Sequence, residues 1–200
     1  MTNHYYTNKP SVESNRQQWS FDLKGHQFSF TTDTGVFSKK EVDFGSRVLI
    51  DAFELPEVEG CILDVGCGYG PIGLSIAKGF PDREVHMVDV NERAVELAKE
   101  NAAVNKVENV SVFISNIYEN VTSTNYAAIL SNPPIRAGKK VVHEILEKAW
   151  DHLMPNGELW IVIQKKQGAP SAIAKLESLF EDVEVVVKKK GYLIIKSKKG

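Results

Sequence analysis

From residue 60 onward the chain alternates short apolar runs with longer helical patterns, and that order admits few folds. Cys61–Val65, Val85–Val88, Val110–Ile114, Tyr126–Leu130 and Leu159–Ile163 read as strands bounded by turn residues. Helical patterns fall at Pro71–Lys78, from an Asn91 cap to Val104, at Gly138–Leu153 with a stop at Pro155-Asn156-Gly157, and at Ser171–Phe180. Strands joined through helices run parallel, because antiparallel neighbours need only a tight turn. The expected fold is therefore α/β: a doubly wound, mostly parallel seven-stranded sheet covered by helices on both faces. Val183–Val187 and Tyr192–Lys196, turned at Lys190-Gly191, are expected to close the sheet with one antiparallel strand. Ahead of this pattern, Trp19–Leu23 and Gln27–Thr31 read as a hairpin around Lys24-Gly25-His26. Lys40–Phe53 reads as a helix through Val42, Val48, Leu49 and Ala52. The expected organisation is an N-terminal hairpin/helix extension, residues 1–55, packed on an α/β domain, residues 56–200, as one structural unit.

With 200 residues, 42% of them hydrophobic, the chain has material for one sizeable core. No apolar run approaches the ~20 residues of a membrane span. Met1–Pro10 is polar and lacks a signal-peptide core, so a cytoplasmic protein is expected. A formal net charge of −2 rules out an overall electrostatic grip on nucleic acid. The halves differ, with 10 basic against 16 acidic residues in 1–100 and 14 against 10 in 101–200. That asymmetry permits an anionic partner on one side. Cys61 and Cys67 lack zinc-site spacing and read as packing or loop residues. His4, His26, His86, His143 and His152 form no ligand spacing with them, and no metal is expected.

The most informative segment is Ile62-Leu63-Asp64-Val65-Gly66-Cys67-Gly68-Tyr69-Gly70. In an open α/β sheet, ligands bind beyond the C-terminal ends of the strands, and glycines there let backbone approach a ligand. Asp89, 25 residues after Asp64, ends the next strand, where a carboxylate can accept both hydroxyls of a ribose. Gly68, Gly70 and Gly73 also satisfy the G-x-G-x-x-G dinucleotide fingerprint. Asp64 argues against that reading, because an acid at the strand end repels a pyrophosphate. It suits instead a cofactor with cationic groups: the sulfonium and amino group of S-adenosyl-L-methionine. Asn116, after the third strand, reads either as an acceptor for the adenine amine or as a helix N-cap.

The fourth strand runs into Leu130-Ser131-Asn132-Pro133-Pro134-Ile135. Two prolines fix φ, remove two N–H donors and forbid a helix, leaving a rigid turn rich in acceptors. Such a corner suits an NH₂ group, with the Asn132 oxygen taking one N–H and the Pro133 carbonyl the other. The exocyclic amine of a base is a poor nucleophile, since its lone pair is delocalised into the ring. Two aligned acceptors favour a more tetrahedral nitrogen and aim its lone pair, so catalysis rests on positioning and fixed dipoles. The catalytic set is Asn132, Pro133 and Pro134; the cofactor set is Asp64, Gly66, Gly68, Asp89 and Asn116.

Asp64-Val65-Gly66-Cys67-Gly68, Asp89 and Asn132-Pro133-Pro134-Ile135 resemble the cofactor loop, ribose acid and catalytic tetrapeptide of class I methyltransferases with an N-P-P-[FYWI] motif. Gly35-Val36-Phe37-Ser38, Asp43, Gly45, Ser115-Asn116-Ile117-Tyr118 and Ser131–Ile135 occur in the order seen in the catalytic half of small-subunit rRNA guanine-N2 methyltransferases. The resemblance covers about residues 20–196. It implies a Rossmann-like methyltransferase fold and methylation of guanine N2 in 16S ribosomal RNA. The tetrapeptide is shared with adenine-N6 and protein-glutamine enzymes, which stay as alternatives; a non-catalytic binding module is the reading from another class.

The resemblance also makes Phe37 an active-site wall or an ordinary buried aromatic. Ile135 stands where many relatives carry an aromatic that stacks on the target base. Base–aromatic stacking contributes ~1–3 kcal/mol, so Phe37 or Tyr69 is expected to compensate. The larger relatives carry a second, degenerate half with no counterpart here, so RNA recognition is expected to differ or to come from a partner. Arg136, Lys139 and Lys140 follow the tetrapeptide, and Lys165 and Lys166 follow the fifth strand. These are the expected phosphate contacts, on ribosomal RNA or a ribosomal particle. Lys188–Lys190 and Lys196, Lys198 and Lys199 read as a solvated turn and tail farther away.

Overall fold

β1 (Gln17–Leu23) and β2 (His26–Thr32) form an antiparallel hairpin in the computed structural model, which describes residues 9–36 and 40–200. Lys24 and Gly25 turn it with φ of 50° and 82°, the paired left-handed conformation of a two-residue turn. Then follow α1 (Phe44–Ala52), β3 (Ile62–Val65), α2 (Pro71–Gly79), β4 (Val85–Asp89), α3 (Glu92–Val104), β5 (Val110–Ile114) and β6 (Tyr126–Ser131). The chain ends with α4 (Lys139–His152), β7 (Leu153–Gln164), α5 (Ala169–Leu179), β8 (Asp182–Lys189) and β9 (Tyr192–Lys198).

The last seven strands form one sheet in the order β5-β4-β3-β6-β7-β9-β8. β3 pairs in parallel with β4 and β6, while β9 pairs antiparallel with β7 and β8. β3 and β6 are buried along their whole length, which is why both are continuous apolar runs. From β3 the chain moves to one side through β4 and β5, then crosses to β6 on the other side. The order therefore reverses between β3 and β6, where an open α/β sheet leaves a crevice at its C-terminal edge.

Two boundaries differ from the sequence expectation. α1 starts at Phe44 rather than Lys40, because the Asp43 side chain accepts the Ser46 N–H and caps the helix there. The Pro155-Asn156-Gly157 stop lies inside β7 as an irregularity, where the register passes from Tyr126↔Leu153 to Ala128↔Glu158. The C-terminal tail holds it in place: Asn156 N donates to Lys199 O at 2.8 Å and Lys199 N to Gly157 O at 2.9 Å.

Leu23, Phe28 and Phe30 of the hairpin, Val48, Leu49 and Ile50 from α1 and Phe53 at its C-cap share one apolar cluster with Ile62, Ile76, Leu97 and Trp160. The hairpin's free edge is held by two asparagines, Asn101 in α3 and Asn105 at its C-cap. Asn101 Oδ1 accepts Thr31 N at 2.8 Å, and its Nδ2 donates to Thr31 O at 3.1 Å. Asn105 does the same with Ser29, both at 2.8 Å. Four residues of helix rise about 6 Å and two residues of strand about 6.6 Å, so an i, i+4 pair on a helix matches an i, i+2 pair on a strand edge. The asparagines thus stand in for a third strand. Asn101 Nδ2 also donates to Tyr69 O at 2.8 Å, tying the hairpin to the glycine loop. Asn101→Ala strands these buried backbone groups, at a cost of ~1–3 kcal/mol. The urea midpoint is expected to fall by about 1 M with an unchanged slope.

Candidate active site

Val65 and Ser131 are register partners at the C-terminal ends of β3 and β6, so Gly66 and Asn132 leave the sheet side by side. Ser131 Oγ donates to Val65 O at 2.9 Å and locks the two strand ends together. Both loops open into one cavity of about 370 Å³, within the range of small-molecule sites. Gly66, Gly68 and Asp89 line it on one side, Asn132, Pro133, Pro134 and Ile135 on another.

The glycine loop is built to leave room. Gly66 and Gly68 have φ of 75° and 57°, and nothing lies within 4 Å of where a Cβ would stand on either. A side chain at either position is strained and projects into open space that a ligand needs. The loop hangs on β4: Gly66 N and Cys67 N both donate to Val88 O at 2.9 Å, and Gly68 N to Asp89 Oδ2 at 2.9 Å. Asp89 Oδ1 accepts Asn91 N at 2.9 Å. Each carboxylate oxygen is thereby fixed by one backbone donor and keeps lone pairs for the cavity. Burial raises the Asp89 pKa to about 6.

Asp64 stands behind the loop rather than in the cavity wall, at 1% exposure. Its Oδ2 accepts Gly73 N in the first turn of α2 at 2.9 Å, and its Oδ1 has no partner. Burial, reinforced by the neighbouring Asp89 carboxylate, raises its pKa to about 7. An unpartnered buried carboxylate oxygen beside a glycine cradle fits a cationic ligand. The same geometry explains why the G-x-G-x-x-G pattern misleads. The helix-start N–H that a pyrophosphate would use is taken by a carboxylate. Gly73 is glycine for a packing reason, since a Cβ there would stand 2.6 Å from Met87 Cγ.

Asn132 is oriented by its surroundings. Its Nδ2 donates to Asp43 Oδ2 and to Ser46 Oγ, both at 3.0 Å. Both amide hydrogens are used, and Oδ1 is left as an acceptor. The Pro134 carbonyl is occupied by Ala137 N at 2.9 Å, in the 3₁₀ turn Ile135–Ala137.

The other expected residues fall unevenly. Arg136 and Ile135 line the cavity. Lys139 is exposed at the start of α4 and is not part of the wall. Asn116 is exposed too, and its neighbours Ser115 and Ile117 supply the lining instead. Turns follow Asn116 rather than a helix, so it caps none. Phe37 lies outside the described residues. Tyr69 lines the cavity, while its ring is 2% exposed and packs edge-on against Trp19 and Phe30, at 5.8 and 5.4 Å between ring centres.

Sequence reasoning missed Tyr192, a half-buried aromatic of β9 that lines the cavity and packs on Phe44 at 5.5 Å. It also set Lys188–Lys190 apart from the site. Lys190 Nζ lies 5.1 Å over the Phe44 ring, and Lys165 N donates to Gly191 O at 2.8 Å. The turn thus lies beside Lys165, next to the cavity-lining Gln164 and Tyr192, and Lys188–Lys190 are exposed there, as a solvated turn would be. The antiparallel course of β9 does this, because it starts at the edge where the parallel strands end. Lys199 sits at the opposite end, with Nζ on the Trp150 and Leu153 carbonyls. Tertiary structure also gathers Cys61, Glu84 and His86, whose ligand atoms lie within 4.8 Å of one another at the N-terminal edge of the sheet. The His86 ring nitrogens meet Tyr126 Oη at 2.7 Å and Glu84 Oε1 at 3.0 Å, a hydrogen-bonded group away from the cavity.

A glycine cradle with a ribose-type acid, set beside an Asn-Pro-Pro corner at the switch point of a seven-stranded sheet, defines a class I S-adenosylmethionine-dependent methyltransferase. Comparison with known proteins agrees. The model of the Methyltransferase small domain matches residues 27–196, and the chain belongs to that family. An uncharacterized protein of Bacillus subtilis (strain 168), YbxB, is 68% identical over the full length of both chains. Ribosomal RNA small subunit methyltransferase C of Vibrio cholerae is 29% identical over 192 residues, 94% of this chain and 54% of that protein. Among solved structures, the Thermus thermophilus (T. thermophilus) 16S rRNA N2 G1207 methyltransferase, in complex with AdoMet and guanosine, superposes with a TM-score of 0.82 at 25% identity. That match covers 96% of this chain and 52% of the other. The chain thus spans about half the length of the ribosomal RNA methyltransferases it matches. Among the described residues, no helix is long and apolar enough to cross a membrane.

Proposed function

We propose that this enzyme methylates an exocyclic amine of RNA, guanine N2 of 16S ribosomal RNA, within the cytoplasm. The observation that carries the reading is the fixed orientation of Asn132, whose acceptor end is left free beside the glycine cradle. A guanine N2 amine offers two N–H donors, and Asn132 Oδ1 and the Pro133 carbonyl are the acceptors that would hold them. S-adenosylmethionine, when bound, supplies an electrophilic methyl group on a sulfonium. Asp89 would take the ribose hydroxyls, Gly66 and Gly68 leave space for the cofactor to approach the backbone, and Asp64, behind the loop, would hold the start of α2 through Gly73 N and add negative charge on the side of the cationic end. Asn132 and Pro133 then hold the amine with its lone pair aimed across the cavity, and Pro134 keeps the turn rigid. The expected gain is one of positioning.

RNA is favoured over a protein substrate by the basic rim of Arg136, Lys165, Lys166, Lys188, Lys189 and Lys190, and by the relatives' substrate. Lys139 and Lys140 begin α4, where cations oppose the helix dipole; a phosphate facing them relieves that conflict. Incubation with methyl-tritiated S-adenosylmethionine and separate rRNA, tRNA and protein fractions, followed by nucleoside analysis, tests the reading. Label in N2-methylguanosine from rRNA is expected; label in N6-methyladenosine or in protein glutamine would replace it. Tyr192 is the aromatic proposed to cover the flipped base. Tyr192→Ala is expected to raise KM for rRNA about tenfold and leave S-adenosylhomocysteine binding unchanged.

A further inference from the structure

We infer that Asp43 is a positioning residue that sets which end of the Asn132 amide faces the substrate. The inference rests on the reading of Asn132 as the amine holder and adds a residue from outside the catalytic corner. The two ends of an amide are nearly the same in size and opposite in hydrogen-bonding sense. The Asn-Pro-Pro turn fixes the backbone, but nothing in it selects the end presented to the cavity. A flipped Asn132 would aim N–H at the N–H of the incoming amine and hold nothing.

Asp43 removes the choice. Its Oδ2 lies 3.0 Å from Asn132 Nδ2, and a carboxylate has no hydrogen to give. Ser46 Oγ, at 3.0 Å, takes the second amide hydrogen. Asp43 Oδ2 is itself pinned by Ser46 N at 3.1 Å, as the N-cap of α1. The helix start thus carries the orienting group and secures its rotamer, across 89 residues of sequence. Asp43 and Ser46 both line the cavity, so the contact sits where a misoriented amide would meet the substrate.

Asp43→Asn separates this role from capping. Asparagine caps a helix about as well as aspartate, so thermal stability and S-adenosylmethionine affinity should stay close to wild type. In wild type one oxygen, Oδ2, accepts both Ser46 N and Asn132 Nδ2; in the variant the cap keeps the amide oxygen in that place, but a neutral acceptor holds Asn132 about half as strongly, and Asn132 flips in part of the population. With methyl-tritiated S-adenosylmethionine and rRNA unmodified at the target, kcat is expected to fall about threefold to tenfold with KM for S-adenosylmethionine unchanged. Asn132→Asp alone sets two carboxylates against each other and should be less active still. Combining it with Asp43→Asn removes one of the two charges and lets the amide at 43 turn its NH₂ to the carboxylate at 132, at the expense of its bond to Ser46 N, and leaves a carboxylate oxygen facing the amine. The double variant is expected to regain at least tenfold over Asn132→Asp.

Wild-type kcat in Asp43→Asn overturns the inference while leaving the proposed function standing, as does a double variant no better than Asn132→Asp. Full activity in Asn132→Ala would instead remove the reading on which the inference rests.

Discussion

Asn132→Ala is expected to lower kcat by 10²- to 10³-fold while S-adenosylmethionine binds within about twofold of wild type. The variant loses the only side-chain acceptor offered by the Asn-Pro-Pro corner. The Pro133 carbonyl remains, so an amine would still enter but would be held by one hydrogen bond and free to turn. Losing one preorganised polar partner at a reacting centre costs roughly 2.7–4 kcal/mol in comparable cases. Misplacement alone reaches about 10²-fold. Cofactor affinity is spared because Gly66, Gly68 and Asp89 hang on β4 through Val88 O and Asp89 itself, not through Asn132. Single-turnover kinetics alongside calorimetric titration with S-adenosylhomocysteine separates the two quantities. Equal loss in both would mean that Asn132 supports the cavity rather than the reaction.

Asp89→Ala is expected to do the reverse, weakening S-adenosylhomocysteine binding by about 10²-fold or more. Hydrogen bonds to a charged acceptor contribute ~1.5–3 kcal/mol each, and two ribose hydroxyls are at stake. The substitution also strips Gly68 N and Asn91 N of their partners and loosens the cradle. Lowering the pH should imitate the mutation in wild type. On the proposed roles, binding needs the Asp89 carboxylate ionised and gains from the charge of Asp64 behind it; burial raises Asp89 to about 6 and Asp64 to about 7. Affinity is therefore full above about pH 7.5 and falls as pH drops through 7 and then 6, by up to tenfold per unit for each group. Binding at pH 6.5 should release protons, visible as a buffer-dependent heat.

The stability of the free protein moves in the opposite sense. Both folded-state values lie above the unfolded ~3.9, so the folded state holds the extra protons between about pH 4 and 7. Stability from these groups is present below pH 4 and declines as pH rises through the folded values. A pH-independent dissociation constant between 5.5 and 8.5 would show that neither carboxylate meets the cofactor.

The two motif loops of the site could be read locally, and the residues around them could not. The glycine loop was legible because its residues lie within nine positions and each type has a local reason: a buried strand, φ > 0, an acid at a strand end. Asn132-Pro133-Pro134 was legible for the same cause, since two prolines after an apolar strand allow almost nothing but a rigid turn. Lys190 and Tyr192 were not legible as rim and wall. Their place follows from β9 running back beside β7, and no local pattern states which strand a closing hairpin will join. Asn116 is exposed between the cavity-lining Ser115 and Ile117, because one residue of turn geometry decides whether a side chain after β5 faces the cavity or solvent.

Sequence alone determined the order of strands and helices, the acid-tipped glycine turn and the acceptor-rich corner. Each is set by the hydrogen-bonding and conformational limits of neighbouring residues. Tertiary structure alone decided that β3 and β6 lie side by side, so that Gly66 and Asn132 share an edge. It also brought Asp43 across to the Asn132 amide and let two helix asparagines complete a strand edge. Those facts depend on register and on which sheet edge each crossover reaches, and burial of the whole apolar surface selects them only when every element is present.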